Sequence, residues 1–210
     1  MTLDQLRPRI GSFLDPWVRA ADAVGLSPNG VSLIAFALAV AAGGAFGFAG
    51  PEFESLGGGD PIWYAIGATC VALNGWLDIV DGELARAQDV ASDAGDMLDH
   101  VLDRYADLVI IAGFAAGIGR YDIGMAAVTG VLMTSYLGTQ AQAVGVGRVY
   151  AGYLGRADRL ALSGLVGYLA AFVTASFYGL TVVGWLLVVF AVVGHLTALQ
   201  RFWGAWKVLS

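Results

Sequence analysis

Residues 78–107 read DIVDGELARAQDVASDAGDMLDHVLDRYAD and place eight aspartates in a chain that is otherwise mostly apolar. Residues 61–77 before this stretch and 108–119 after it carry no charge. The acids therefore stand at the ends of two apolar helices, one arriving and one leaving. Carboxylates at or inside a membrane edge are costly, and where they occur they mark a functional site.

Helical spacing decides how they are presented. Asp78 and Asp81 are three residues apart and Asp99 and Asp103 four apart, so each pair shares one helix face. At about 100° per residue, Asp96, Asp103 and Asp107 fall nearly in line with Asp99 roughly 60° round, which predicts an acidic stripe on the second helix. Two such stripes facing each other repel unless cations lie between them. Oxygen donors of this kind select Mg²⁺, Mn²⁺ or Ca²⁺ over zinc or copper. Gly82 and Ala85 share the face of Asp78 and Asp81 and leave room for a ligand against the backbone, while Arg86 offers a planar cation suited to phosphate. Asp89, Asp93 and Asp96 read as helix caps or solvated loop residues.

The rest of the 210 residues is 58% hydrophobic and 13% charged, with a mean hydropathy of +0.70. That is the composition of an all-α integral membrane protein and not of a soluble domain. The net charge of −6 offers nothing to a nucleic acid, and none is expected as a partner. Residues 3–23 have apolar side chains at helical spacing interleaved with Arg7, Arg9, Arg19 and three aspartates, too polar to span. They predict an amphipathic helix, broken into short pieces by Pro8 and Pro16, that lies in the membrane interface or else packs as a cytosolic helix on the bundle. Ser27-Pro28-Asn29 then signals a helix start, and six spans follow at about 29–49, 61–81, 97–118, 122–143, 158–177 and 180–204, each near the ~20 residues a bilayer needs. The connection 50–60, with Pro51 and a Gly-Gly-Gly run, reads as a flexible loop. No repeat or second domain is evident, and Cys70 lies in an apolar run as a packing residue.

On this layout ten of the eleven basic residues fall on one side and only Arg120 on the other. The positive-inside rule then puts both termini and the aspartates on the cytoplasmic side of the cell membrane. Arg148, Arg156 and Arg159 occupy the connection before the fifth span and Arg201 lies near the end of the sixth. These four either fix topology at lipid headgroups or form a pocket for a substrate phosphate.

The run Asp78-x-x-Asp81-Gly82-x-x-Ala85-Arg86, eight residues, then Gly95-x-x-x-Asp99-x-x-x-Asp103, resembles the complete signature of the CDP-alcohol phosphotransferase family. All eight fixed positions match. The resemblance implies transfer of a lipid phosphate from a CDP-lipid to a small alcohol with release of CMP. It implies two divalent ions, Mg²⁺ or Mn²⁺, held by Asp78, Asp81, Asp99 and Asp103, with Asp103 also taking the proton of the attacking hydroxyl. Asp78, Gly82, Ala85 and Arg86 would hold the nucleotide, and Asn29 joins them because a Pro-Asn of relatives lies near it. Gly155-Arg156-Ala157-Asp158-Arg159-Leu160 is similar to the ERPERL-like segment of members that use inositol phosphate, whose arginines grip that phosphate. Ser135-Tyr136 with residues 140–143 is similar to their SYxxARAEA segment, although Gln140 and Gln142 stand where those members have Arg and Glu. The Gly-Lys-x-Lys-Thr of glycerol-phosphate users is absent. Inositol phosphate is thus the preferred acceptor, bound by Arg148, Arg156, Arg159 and Arg201, ahead of glycerol phosphate or serine. Membrane lipids and a second copy of the chain are the remaining expected partners, with Gly124, Ala126, Ala127 and Gly130 as a close-packing surface for a homodimer.

Two rivals come from other classes. An ion or proton carrier also explains acids on spans, but not the Gly82-Ala85-Arg86 spacing. A soluble prenyl-type synthase with aspartate-rich helices fails on hydrophobicity.

Overall fold

The computed structural model describes residues 7–147 and 152–210, with side chains from residue 13 onward. Among these residues the chain is all-helical: α1 (Arg7–Ala23), α2 (Pro28–Phe48), a 3₁₀ turn (Pro51–Leu56), α3 (Ile62–Ala87), α4 (Asp93–Gly117), α5 (Tyr121–Ala143), α6 (Arg156–Ala170) and α7 (Val182–Leu209). By length and hydropathy α2, α3 and α7 qualify as membrane-crossing helices.

Local chemistry sets the ends. The Ser27 side chain accepts from the Gly30 N–H at 3.1 Å with Pro28 in the first turn. At α4 the cap is Ser92, which accepts from the Gly95 N–H at 3.2 Å. Asp93 and Asp96 sit in the first turn, where carboxylates favour the positive end of the helix dipole, and Asp89 occupies the left-handed region of the preceding turn (φ 54°). None of the three aspartates is the cap itself.

Three expectations are corrected. Pro16 does not break the first segment: α1 is one helix with Pro16 inside it. Leu14 and Val18 are buried against Val31, Val80 and Leu84, and this packing holds the helix across the missing hydrogen bond. The connection at 50–60 is not a loose loop but carries the 3₁₀ turn, closed by Gly57 at φ 87°. α6 ends at Ala170 and not at 177. The chain turns back at Phe177–Leu180, where Tyr178 and Gly179 have φ of 50° and 75°, conformations no helix contains.

Side chains of small size bring the helices together. α2 packs on both α3 and α4, α5 on α4 and α7, α6 on α3 and α7, and α1 on α3. In lipid the gain comes from van der Waals fit and not from escape from water, so small residues decide which faces meet. Gly43 of α2 and Gly113 of α4 show this: a Cβ on Gly113 would run into the Gly43 backbone. Phe46 and Phe114 stack beside them with ring centroids 3.8 Å apart. Gly124, Ala127 and Gly130 are buried in the same way within the chain. Gly124 faces Ala115, and Gly130 faces Ala191 and His195. They are therefore not a surface for a second copy. Leu33, Val40, Leu73, Val101, Leu196 and Leu199 stay exposed, an apolar exterior.

Candidate active site

α3 and α4 carry the acidic residues to a common level. α3 continues past residue 81 to Ala87, so Asp78, Asp81, Gly82, Ala85 and Arg86 all lie on one helix. α4 returns with Asp99 and Asp103. Carboxylate oxygens of Asp78, Asp99 and Asp103 lie within 4.8 Å of one another. Asp81 is 6% exposed and lines the same cleft, its Oδ2 accepting from the Ser32 hydroxyl at 2.6 Å. The cleft lies between α2, α3, α4 and α6 and is lined by Ser32, Asn74, Asp78, Asp81, Asp99, Asp103 and Arg156. Three or four hard oxygen donors at this spacing fit a divalent cation such as Mg²⁺ or Mn²⁺.

The expected acidic stripe on α4 is divided by depth. Asp96 is exposed at the start of the helix, 3.6 Å from His100. Asp99 and Asp103 face the cleft, and Asp107, 5% exposed, belongs to a different pair.

Arg156, the first residue of α6, enters the acidic cluster itself. Its Nη1 is 2.7 Å from Asp78 Oδ2 and its Nη2 is 2.6 Å from Asp103 Oδ1. The start of α6 is set by Asp158, whose carboxylate accepts from the Gly155 N–H at 2.9 Å. Behind Asp103, Arg104 lies 3.5 Å from its Oδ2 and donates to the Ser135 hydroxyl of α5. One network of hydrogen bonds and ion pairs thus joins α3, α6, α4 and α5. Sequence reasoning gave Arg104 no part in it, because its role depends on α5 lying alongside.

The other expected binding residues take separate places. The Arg86 guanidinium lies over Gly82 and pairs with Glu83 at 2.6 Å, with Gly82 and Ala85 half-buried beside it. Asn29 is exposed at the start of α2, close to Gly95 at the start of α4. Arg159 is 6% exposed and its Nη2 donates to Asp107 Oδ2 at 2.6 Å, one helical turn deeper than Arg156. Its charge is therefore committed to α4 and is not presented to the cleft. Arg201 donates from Nη1 to the Thr134 carbonyl at 2.7 Å, linking α7 to α5. Arg148 lies outside the described residues.

A sequence model of the CDP-alcohol phosphatidyltransferases matches residues 25–196. The chain belongs to that family. It is 31% identical over 209 residues to the archaetidylinositol phosphate synthase of Methanothermobacter thermautotrophicus, covering 99% of this chain and 96% of that one. The enzyme of the same name from Pyrococcus horikoshii is 29% identical, covering 99% and 98%. In fold, this CDP-alcohol phosphatidyltransferase is similar to the phosphatidylinositol phosphate synthase of Mycobacterium tuberculosis with CDP-DAG bound, at a TM-score of 0.75, 21% identity, and coverage of 92% of this chain and 93% of the other. A structure of that enzyme in complex with manganese and citrate matches at the same TM-score of 0.75, with coverage of 92% of this chain and 88% of the other. The family signature of this phosphatidyltransferase is the stretch that the two helices fold into the cleft.

Proposed function

We propose that this enzyme transfers the lipid phosphate of a CDP-lipid to a hydroxyl of inositol phosphate and releases CMP. The observation that carries the reading is the convergence of Asp78, Asp99 and Asp103 with Arg156 seated among them. Full-length likeness to two archaetidylinositol phosphate synthases supports the acceptor. Asp78, Asp81, Asp99 and Asp103 would hold two divalent ions, which supply charge neutralisation at the diphosphate when bound. Asp103 takes the proton of the attacking hydroxyl as that oxygen meets the lipid-side phosphorus. Asp78, Gly82, Ala85, Arg86 and Asn29 hold the nucleotide. Arg156 binds the acceptor phosphate together with Arg148 and Arg201, while Arg159 pins α6 through Asp107.

The setting belongs to the same proposal. The chain is one domain in which α2 to α7 cross the cell membrane, α1 lies in the interface, and the cleft and both termini face the cytoplasm. The lipid chains leave the cleft sideways into the bilayer. Two copies form a homodimer through a face other than Gly124, Ala127 and Gly130.

The test is CMP release from CDP-lipid with Mn²⁺ over a panel of alcohols. Release with inositol phosphate and little with glycerol phosphate, serine or free inositol is expected. Efficient use of an unphosphorylated alcohol would overturn the acceptor and leave the family chemistry standing. Proton flux without CMP release would instead establish the carrier.

A further inference from the structure

Asn74 lies on α3 one turn before Asp78, on the same face and about 6 Å further along the helix axis. It is 1% exposed and lines the acidic cleft. Its Nδ2 donates to the Ala35 carbonyl of α2 at 2.8 Å, which fixes the amide orientation and leaves Oδ1 as the free end. Oδ1 is buried and has no hydrogen-bond partner among the described residues. A buried polar atom left unpaired costs about 1–3 kcal/mol, and one in a side chain that lines a substrate cleft points to a ligand that pairs it.

Oδ1 only accepts, so its partner must donate. A carboxylate or a phosphate dianion cannot, whereas the hydroxyl of an alcohol substrate can.

We propose that Asn74 is a specificity-determining residue whose Oδ1 accepts a hydrogen bond from one hydroxyl of the alcohol substrate. The inference rests on the alcohol-transfer reading above and adds to it a residue outside the family signature. A site that hydrogen-bonds a substrate hydroxyl rejects the analogue lacking it strongly, because its own polar atoms are then left unpaired.

The experiment crosses a protein change with a ligand change. Wild type and Asn74→Leu are compared in detergent micelles with inositol phosphate and a set of its monodeoxy analogues. For wild type, one deoxy analogue should lose about tenfold or more in kcat/KM. In Asn74→Leu, the KM for inositol phosphate should rise by about tenfold, that for CDP-lipid should stay within about twofold, and the discrimination against that analogue should vanish. The melting temperature should change little, since leucine removes an unpaired buried oxygen along with the hydrogen bond to the Ala35 carbonyl. Should Asn74→Leu not fold, Asn74→Ala is read in the same way. Unchanged discrimination, or an equal loss for both substrates with a lowered melting temperature, would show that Asn74 serves packing or a bound water only. If the enzyme uses another alcohol, the inositol phosphate reading fails, and the same cross with deoxy analogues of that alcohol decides Asn74. If no alcohol yields CMP, both fall.

Discussion

At the scale of single residues, the cleft sorts its carboxylates by neighbour. Asp78, Asp99 and Asp103 converge, whereas Asp81 is held by the Ser32 hydroxyl. Asparagine keeps the shape of aspartate but drops the charge that holds a divalent cation. Asp78→Asn, Asp81→Asn or Asp99→Asn should therefore lower CMP release on the order of a hundredfold or more and weaken Mn²⁺ binding in a direct titration, with the melting temperature near wild type. Normal Mn²⁺-dependent turnover by Asp81→Asn would remove that residue from the metal set. Arg156 adds a prediction of opposite sign. Its guanidinium competes for the oxygens of Asp78 and Asp103, so Arg156→Ala should bind Mn²⁺ more tightly while the KM for inositol phosphate rises about tenfold, the worth of a charge-assisted hydrogen bond. Unaltered values of both would leave Arg156 with a topological role alone.

At the scale of elements, α6 is joined to α4 by two ion pairs, Arg156 to Asp103 in the cleft and Arg159 to Asp107 beneath it. The lower pair is nearly inaccessible, with side-chain exposures of 7% and 4%. Removing one member of such a pair leaves the other charge buried and uncompensated, at a cost of about 3–5 kcal/mol, whereas replacing both with apolar residues is often close to neutral. Asp107→Leu should thus unfold at markedly lower denaturant, and Asp107→Leu with Arg159→Leu should recover most of the loss. Recovery in the double variant that also kept a normal KM for inositol phosphate would confine Arg159 to structure. The contact of α2 with α4 depends on Gly43 and Gly113 in the same direct way. Gly113→Ala sets a methyl against the backbone of Gly43, which cannot yield like a side chain. It should destabilise by about 1–3 kcal/mol, read as a shift in the denaturation midpoint.

At the scale of the whole molecule, the orientation is open to chemical labelling. In a Cys70→Ala background, a cysteine at Ser210 should react with an impermeant maleimide only from the cytoplasmic side. A cysteine at Tyr121, next to the lone Arg120, should react only from the other side. Labelling of both from one face would overturn the odd number of crossings, α5, α6 and α7, between them. Crosslinking in native membranes should give a dimer. Its yield should be insensitive to Gly130→Ala in molecules that fold, because Gly130 packs on α7 within the chain.

The sequence by itself determined the family, through the eight fixed positions of its signature, and helical spacing put Asp78 with Asp81 and Asp99 with Asp103 on shared helix faces. It also determined the Ser27 cap, since an N-cap is an interaction within three residues. Only the tertiary structure separated Arg156 from Arg159. Three residues apart on one helix, they look equivalent in the chain, yet one reaches Asp103 in the cleft and the other Asp107 below it, because the two long side chains extend to different turns of α4. Asn74 was overlooked for a related reason: an uncharged residue in an apolar run gives no periodic signal. Its meaning comes from Ala35 pairing one end of the amide while the other stays unpaired in a residue that lines the acidic cleft. Small residues mislead in the same way, for Gly124 and Gly130 permit close approach without saying to which helix, and the fold directs them to α4 and α7 of the same chain. Local patterns settle what a segment within a few residues of itself must do, whereas partners between segments depend on which helices the packing brings side by side.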